Sequence, residues 1–252
     1  MKALLFGGTF DPPHAGHMNN LRAAMQAVQP DVVLVMPAGI PPHKHASATP
    51  GELRLAMCES PEDVQRLAQL LDEVEEEHQI PHGSVKIQCS IETAKGVLNA
   101  RETVKANPRV ISLSFGAEDY TRSMGISRSK SAQELQFARM YLPVVAAEAG
   151  ISAIDTVWSD LEDEAGFEAE VNNAKALGFS GKSCIHPSQL AVVHRIYTPS
   201  EAEVVHARRV IEAMRAAEQA GVGVFTVDGK MVDAPVVAKA QRVLLQIGEE
   251  VS

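Results

Sequence analysis

The 252-residue sequence lacks any apolar run long enough to cross a bilayer. Its opening residues, 1–10, are apolar too briefly to form a secretory leader before glycine intervenes. Cysteine is scarce. Cys58, Cys89 and Cys184 are odd in number and widely spaced, with no Cys-x-x-Cys and no Cys/His cluster. That excludes a disulfide framework and a zinc site, and points to reduced thiols in a cytoplasmic protein. Cys89 sits in an apolar strand pattern and reads as a core residue. Positive charge is in deficit: 23 Lys and Arg face 32 Asp and Glu, a net charge of −9. A binder of nucleic acid or of an anionic membrane is therefore not expected, although a local positive pocket can still take a small anion. No internal repeat and no low-complexity tract occurs.

What is present suits a folded globule. Apolar residues make up 45% of the chain, and mean hydropathy is close to zero. Candidate strands at 3–6, 31–36, 85–91, 110–115, 153–158 and 181–185 alternate with candidate helices, the pattern of parallel βα units. Ser60-Pro61-Glu62-Asp63 supplies a cap, a first-turn proline and acids in order. Ser131 precedes Glu134 by three, and Ser200 precedes Glu203 by three. Glu162-Asp163-Glu164 suits the positive end of a helix dipole. The acidic run 72–77, with Val64, Leu67, Leu71 and Val74 at helical spacing, reads as a solvated helix face. Six strands are fewer than the eight of an ordinary βα barrel. Character changes near residue 58. Seven of the fourteen prolines precede it, and nearly all the net negative charge follows it.

In parallel α/β folds, ligands meet the carboxyl ends of strands. Two such ends carry acids: Glu92 after 85–91, and Glu118 and Asp119 after 110–115. Acids on neighbouring strand ends form a hard-oxygen site of the kind magnesium prefers. Each acid could instead cap the helix that follows. Asp155, at another strand end, could be structural. Asp233 reads as a turn residue before Pro235. His186, before Pro187, suits either a ligand contact or a turn.

The wider wording is more specific. Ile91-Glu92-Thr93-Ala94, Gly96-Val97-Leu98-Asn99-Ala100, the stretch from Phe115 to Thr121, the stretch from Ala153 to Val157, Gly178-Phe179-Ser180-Gly181-Lys182, Ile185-His186-Pro187 and the stretch from Asp228 to Pro235 occur in that order. Residues 59–252 resemble the citrate lyase β-subunit/malyl-CoA lyase (HpcH/HpaI-like) family. The resemblance implies a TIM barrel with a C-terminal helical extension, here from about residue 199, in a homotrimer. It implies Mg²⁺ on Glu92 and Asp119, and a CoA thioester or an acyl-carrier subunit as the partner. It implies reversible carbon–carbon cleavage to acetyl-CoA and an oxo acid. Asp233 takes the acid/base part at a neighbouring chain's site. Asn99, Arg128, Lys182 and His186 are the expected substrate or CoA contacts.

Residues 1–58 read differently. A strand runs into Gly7-Gly8-Thr9-Phe10-Asp11-Pro12-Pro13-His14-Ala15-Gly16-His17, and Pro41-Pro42-His43-Lys44 follows a second strand. Glycines and a helix start suit phosphates. The stretch resembles nicotinate-nucleotide adenylyltransferases, with Arg54 and Met57 also matching. That implies nucleotide contacts from Gly8, Thr9, Phe10, His14, His17 and Lys44. The rest of that pattern is missing, and so are the lyase family's N-terminal strands and the arginine that grips the substrate carboxylate. The expected architecture is therefore α/β, a TIM-barrel-derived set of parallel βα units, incomplete or distorted, with an N-terminal nucleotidyltransferase-like βαβ unit and the look of a chimera joined at 58–59. Three functions stand open: a CoA-ester lyase, a nucleotidyltransferase, and a hybrid that turns nothing over.

Overall fold

The computed structural model describes residues 3–8, 32–37, 58–77, 79, 81–219, 221 and 224–249. They fall in two units, Met1–Leu190 and Ala191–Ser252.

In the first unit β1 (Ala3–Gly8) pairs in parallel with β2 (Val32–Pro37), from Ala3 opposite Val32 to Gly8 opposite Pro37. A second sheet holds β3 (Ile87–Ile91), β4 (Val110–Phe115), β5 (Ser152–Asp155) and β6 (Gly181–Lys182), all parallel and in sequence order. Helices connect them. α1 (Pro61–Glu77) leads into β3, and α2 (Ala94–Val104) joins β3 to β4. α3 (Ala117–Met124), a 3-10 turn at Gln133–Leu135 and α4 (Gln136–Ala149) join β4 to β5. α5 (Glu164–Leu177) joins β5 to β6, and α6 (Ser188–Tyr197) follows. The parallel α/β architecture expected from the alternation is what forms.

Local polar chemistry sets the element ends. Ser60 N–H donates to Asp63 Oδ2 at 2.9 Å, and Asp63 N–H to Ser60 Oγ at 3.4 Å, so the start of α1 is a reciprocal cap. Asp163 caps α5 by accepting from Gly166 N–H at 2.9 Å. Glu134 turns back to accept from the Ser129 N–H and hydroxyl, and α4 starts only at Gln136. β4 has its predicted bounds, but its neighbours are shorter. Val85 N–H is diverted to Glu75 Oε1 at 2.8 Å, so β3 begins at Ile87. After Asp155, Thr156 Oγ1 accepts from Ala117 N–H and Val157 O from Arg128, which ends β5. Ile185 N–H donates to Gln189 Oε1 at 2.9 Å, turning the chain into α6 and leaving β6 two residues long.

The two faces of the four-stranded sheet differ. Ile87, Cys89, Ile91, Leu113, Phe115 and Ala153 join one buried cluster with Val64 and Ala68 of α1, Val97 and Ala100 of α2, and Ala138, Leu142 and Val145 of α4. Alternation puts Gln88, Ser90, Ser112 and Ser114 on the other face. Cys89 is fully buried, as its strand pattern implied.

The acidic run of α1 is not wholly solvated. Glu75 is 1% exposed and accepts from Gly83 N–H at 2.7 Å, Val85 N–H at 2.8 Å and Arg109 Nη1 at 2.9 Å, while Val74 is exposed. Glu75 continues the stripe of Val64, Ala68 and Leu71 at helical spacing, so it faces inward, where Arg109 neutralises it.

The second unit pairs α7 (Glu201–Gln219) with α8 (Ala234–Gln246) around a hairpin of β7 (Phe225–Val227) and β8 (Lys230–Val232). Ser200 caps α7 reciprocally with Glu203, as expected. Asp228 and Gly229 form the turn with φ of 54° and 73°, the two left-handed residues that a twisted two-residue hairpin requires. Val204, Ala207, Val210, Ile211, Val227, Val232, Ala240 and Leu244 make its core. Among the described residues no helix is long and apolar enough to cross a membrane.

Candidate active site at the strand ends

Glu92 leaves β3 and Gly116 leaves β4, at the same edge of the sheet. Ile91 lies opposite Phe115, and Gly116 N–H donates to Ile91 O at 3.0 Å, so the ladder continues to the base of both acids. The half-buried Glu92 side chain lies against Gly116. A Cβ at residue 116 would meet Glu92 Cβ and Oε2 at 2.6 Å, so only glycine allows this approach. Asp119 stands in the first turn of α3, with its side chain 33% exposed and Oδ1 2.7 Å from Arg122. The start of α3 is tied to β5 by Ala117 N–H donating to Thr156 Oγ1 at 3.0 Å. Two carboxylates thus follow the carboxyl ends of neighbouring parallel strands, Glu92 directly after β3 and Asp119 in the first turn after β4. Such a donor set fits a magnesium ion, a hard cation that takes one or two carboxylates plus ligand oxygens.

Thr93, next to Glu92, caps α2. Its hydroxyl accepts from Gly96 N–H at 3.0 Å and donates to Glu59 Oε1 at 2.7 Å. Sequence reasoning singled out neither Glu59, Thr93, Gly116 nor Thr156. Thr93-x-x-Gly96 at a strand-to-helix junction was a legible cap; the reach of Glu59, 34 positions from Thr93, was not.

The other expected contacts are placed as follows. Asn99 donates from Nδ2 to Glu59 O at 2.9 Å. Arg128 donates to Val157 O at 2.9 Å, pairs with Glu118, and lines a cavity of about 330 Å³ with Ser129, Lys130, Trp158, Ser159 and Asp160. His186 is exposed; its Nδ1 accepts from Ser188 N–H at 3.2 Å, closing the turn into α6. Lys182 is on the helix-packed face, with no exposed side chain. Its Nζ lies 2.8 Å from Asp155 Oδ2 and 2.5 Å from Glu170 Oε1, and Arg139 bonds both carboxylates, at 2.7 and 3.0 Å. Burial pushes the Asp155 carboxyl up, but Lys182 and Arg139 outweigh it and hold it below its ordinary value. Its ammonium is spent inside the fold, on the side of the sheet away from Glu92. Asp233 is in the second unit, exposed, and caps α8 by accepting from Val236 N–H at 3.3 Å. Gly8 ends β1. Thr9, Phe10, His14, His17 and Lys44 lie outside the described residues.

One more acidic cluster, Asp72, Glu75 and His82, has its ligand atoms within 4.8 Å of one another. The Arg109 guanidinium already fills it, 2.5 Å from Glu75 Oε2.

A parallel βα sheet with acids at its carboxyl edge places this unit among the parallel α/β domains. Comparison with known proteins makes this specific. The HpcH/HpaI aldolase/citrate lyase family matches residues 17–187, and the chain belongs to it. The match begins inside the stretch read as adenylyltransferase-like and runs across the break expected at 58–59. The chain is 42% identical over 192 residues to citrate lyase subunit beta of Escherichia coli K12, covering 76% of this chain and 64% of that protein. It is 33% identical over 207 residues to the mitochondrial citramalyl-CoA lyase of Rattus norvegicus, covering 79% of this chain and 61% of that one. It therefore spans less than two thirds of these curated relatives. CitE from Mycobacterium tuberculosis, solved in complex with magnesium, acetoacetate and coenzyme A, is similar at a TM-score of 0.56 and 26% identity, covering 98% of this chain and 78% of that one.

Proposed function

We propose that this chain is a Mg²⁺-dependent CoA-ester lyase of the citryl-CoA/malyl-CoA type, built on a TIM-barrel-derived framework. The observation that supports the reading is the position of Glu92 and Asp119 just past the carboxyl ends of adjacent parallel strands, in the HpcH/HpaI aldolase/citrate lyase family. Glu92 and Asp119 would hold the ion; bound there, it supplies electrophilic polarisation of the oxo-acid oxygens. The residues around it do the rest. Gly116 leaves room for the Glu92 side chain itself. Thr156 fixes the turn that carries Asp119. Arg128, paired with Glu118, and Lys130, paired with Asp160 and Asp163, line the cavity next to α3 and would have to exchange these partners to meet the carboxylate or phosphate groups of a CoA thioester.

The reaction breaks one carbon–carbon bond. A base removes the substrate's hydroxyl proton as the carbinol becomes the oxo acid's carbonyl, the electron pair of the breaking bond passes to the carbon next to the thioester as its enolate, and an acid returns a proton to that carbon to give acetyl-CoA. Asp233 is proposed for the acid/base part at a neighbouring chain's site, within a homo-oligomer. In this reading residues 59–252 carry the lyase parts.

The test follows acetyl-CoA release from citryl-CoA and malyl-CoA, with and without Mg²⁺. Release that needs the metal and disappears in both Glu92→Ala and Asp119→Ala is expected. A folded protein that releases nothing from either thioester overturns the proposal, and so does turnover unchanged in both variants.

A further inference from the structure

Glu59 follows Cys58, whose N–H donates to Ser90 O of β3 at 3.0 Å. It is fixed from several sides. Its N–H donates to Asp63 Oδ2 at 3.0 Å, its carbonyl accepts from Asn99 Nδ2 at 2.9 Å, and its Oε2 is 3.3 Å from Lys95 Nζ. What remains, Oε1, accepts the Thr93 hydroxyl proton at 2.7 Å. The first turn of α2 rests on the same place: a Cβ at Gly96 would come within 3.0 Å of Cys58 O and 3.2 Å of Thr93 Oγ1.

A hydroxyl has one proton. Given to Glu59, it leaves the lone pairs of Thr93 Oγ1 facing Gly96 N–H, 3.0 Å away. A carboxylate acceptor makes this the stronger kind of hydrogen bond. Thr93 directly follows Glu92, and its extended backbone, at φ −137° and ψ 159°, decides how residue 92 leaves the sheet. Gly116 packs against the Glu92 side chain. Residue 92 is thus joined through one peptide unit to a threonine whose orientation another acid dictates.

We infer that Glu59 is a positioning residue for the Glu92–Asp119 cation site, acting through the Thr93 hydroxyl. This rests on the magnesium reading of that site. Direct hydrogen-bond partners of metal ligands carry about 10- to 100-fold in affinity; Glu59 acts through the backbone of residue 93, so the lower end of that range is expected, and it is readable without turnover.

The experiment titrates the full chain with Mn²⁺, counts bound ion by electron paramagnetic resonance, and checks folding by circular dichroism. Glu59→Gln keeps an acceptor for Thr93 and binds within about twofold of the parent, whereas Glu59→Leu removes the acceptor and weakens binding about tenfold. Thr93→Ser keeps parental affinity, and Thr93→Val matches Glu59→Leu. The double Glu59→Leu/Thr93→Val binds no more weakly than either single variant, because both cut one path. Parental affinity in folded Glu59→Leu and Thr93→Val, with binding lost in Glu92→Ala, overturns the positioning role alone. Mn²⁺ binding that Glu92→Ala leaves unchanged shows instead that the cation site is misassigned, and the inference falls with it. Should Glu59→Leu fail to fold, the Thr93→Ser and Thr93→Val pair decides.

Discussion

Glu92 and Asp155 occupy equivalent places in sequence, each an acid where a parallel strand ends, yet they have opposite fates. Asp155 is on the face of the sheet that packs against helices, with no exposed surface, and Arg139 and Lys182 clasp it. Glu92 is on the other face, half-buried, against a glycine. One step in strand parity separates an acid buried among cations in the fold from an acid left half-buried at the strand end. The same rule explains Lys182, which is paired in register with Asp155 and so shares its face.

The sharpest way to break the contrast is to strip the buried cluster. Lys182→Met leaves Asp155 and Glu170 short of a cation inside the fold and is expected to cost about 3–5 kcal/mol, read by urea unfolding. The matching change on the open face behaves otherwise. Glu92→Ala should lower turnover about 100- to 1,000-fold, as losing one preorganised electrostatic group does, with an unfolding midpoint well above that of Lys182→Met. If both variants unfold alike, parity does not divide the two acids.

Gly116→Ala tests the boundary between the faces. The new methyl would clash with Glu92 at 2.6 Å, so about 1–3 kcal/mol of stability should go together with Mn²⁺ binding. Chemical denaturation and a metal titration on one sample measure both.

The smallest effect concerns the amino-terminal edge of the sheet. The Arg109 guanidinium beside Glu75, helped by the Val85 and Gly83 amides, holds the Glu75 carboxyl at about 2, below its ordinary 4.5. A carboxyl depressed in the folded state stabilises the protein above its unfolded value and ceases to do so as pH falls from 4.5 to about 2. Glu75→Gln should flatten that acid limb of a stability-against-pH curve. An unchanged limb would mean that other carboxyls set it.

Much of this arrangement was legible from residue order, and the rest fails for physical reasons. The bounds of β4, the Ser60 and Ser200 caps and the acid start of α5 are local, and local chemistry formed them. The strand-end positions of Glu92 and Asp119 followed from the alternation of elements, whereas choosing them as a magnesium pair over helix caps came from the family resemblance. Glu75 continues an apolar stripe and could have been recognised as inward-facing, and Asp228-Gly229 carried a hairpin signal that went unread. The ion cluster is another matter. Its hydrogen bonds join Arg139, Asp155, Glu170 and Lys182 across 12 to 27 positions, and a two-residue strand has too little alternation to reveal which way Lys182 points. The family resemblance had made Lys182 an expected CoA contact. Thr156 and Glu59 are invisible for the same reason, since each acts on an element remote in sequence.

Because the two faces divide their duties, descent can act on each by itself. A lineage can retune or abolish the chemistry at residue 92 by one codon change and keep a well-folded protein, whereas drift at residue 182 is purged through misfolding whatever the enzyme does. Silent but intact members are thus an expected by-product of this architecture. In such a member the helix-side quartet would survive, and the carboxylate beside Gly116 would be among the first things lost.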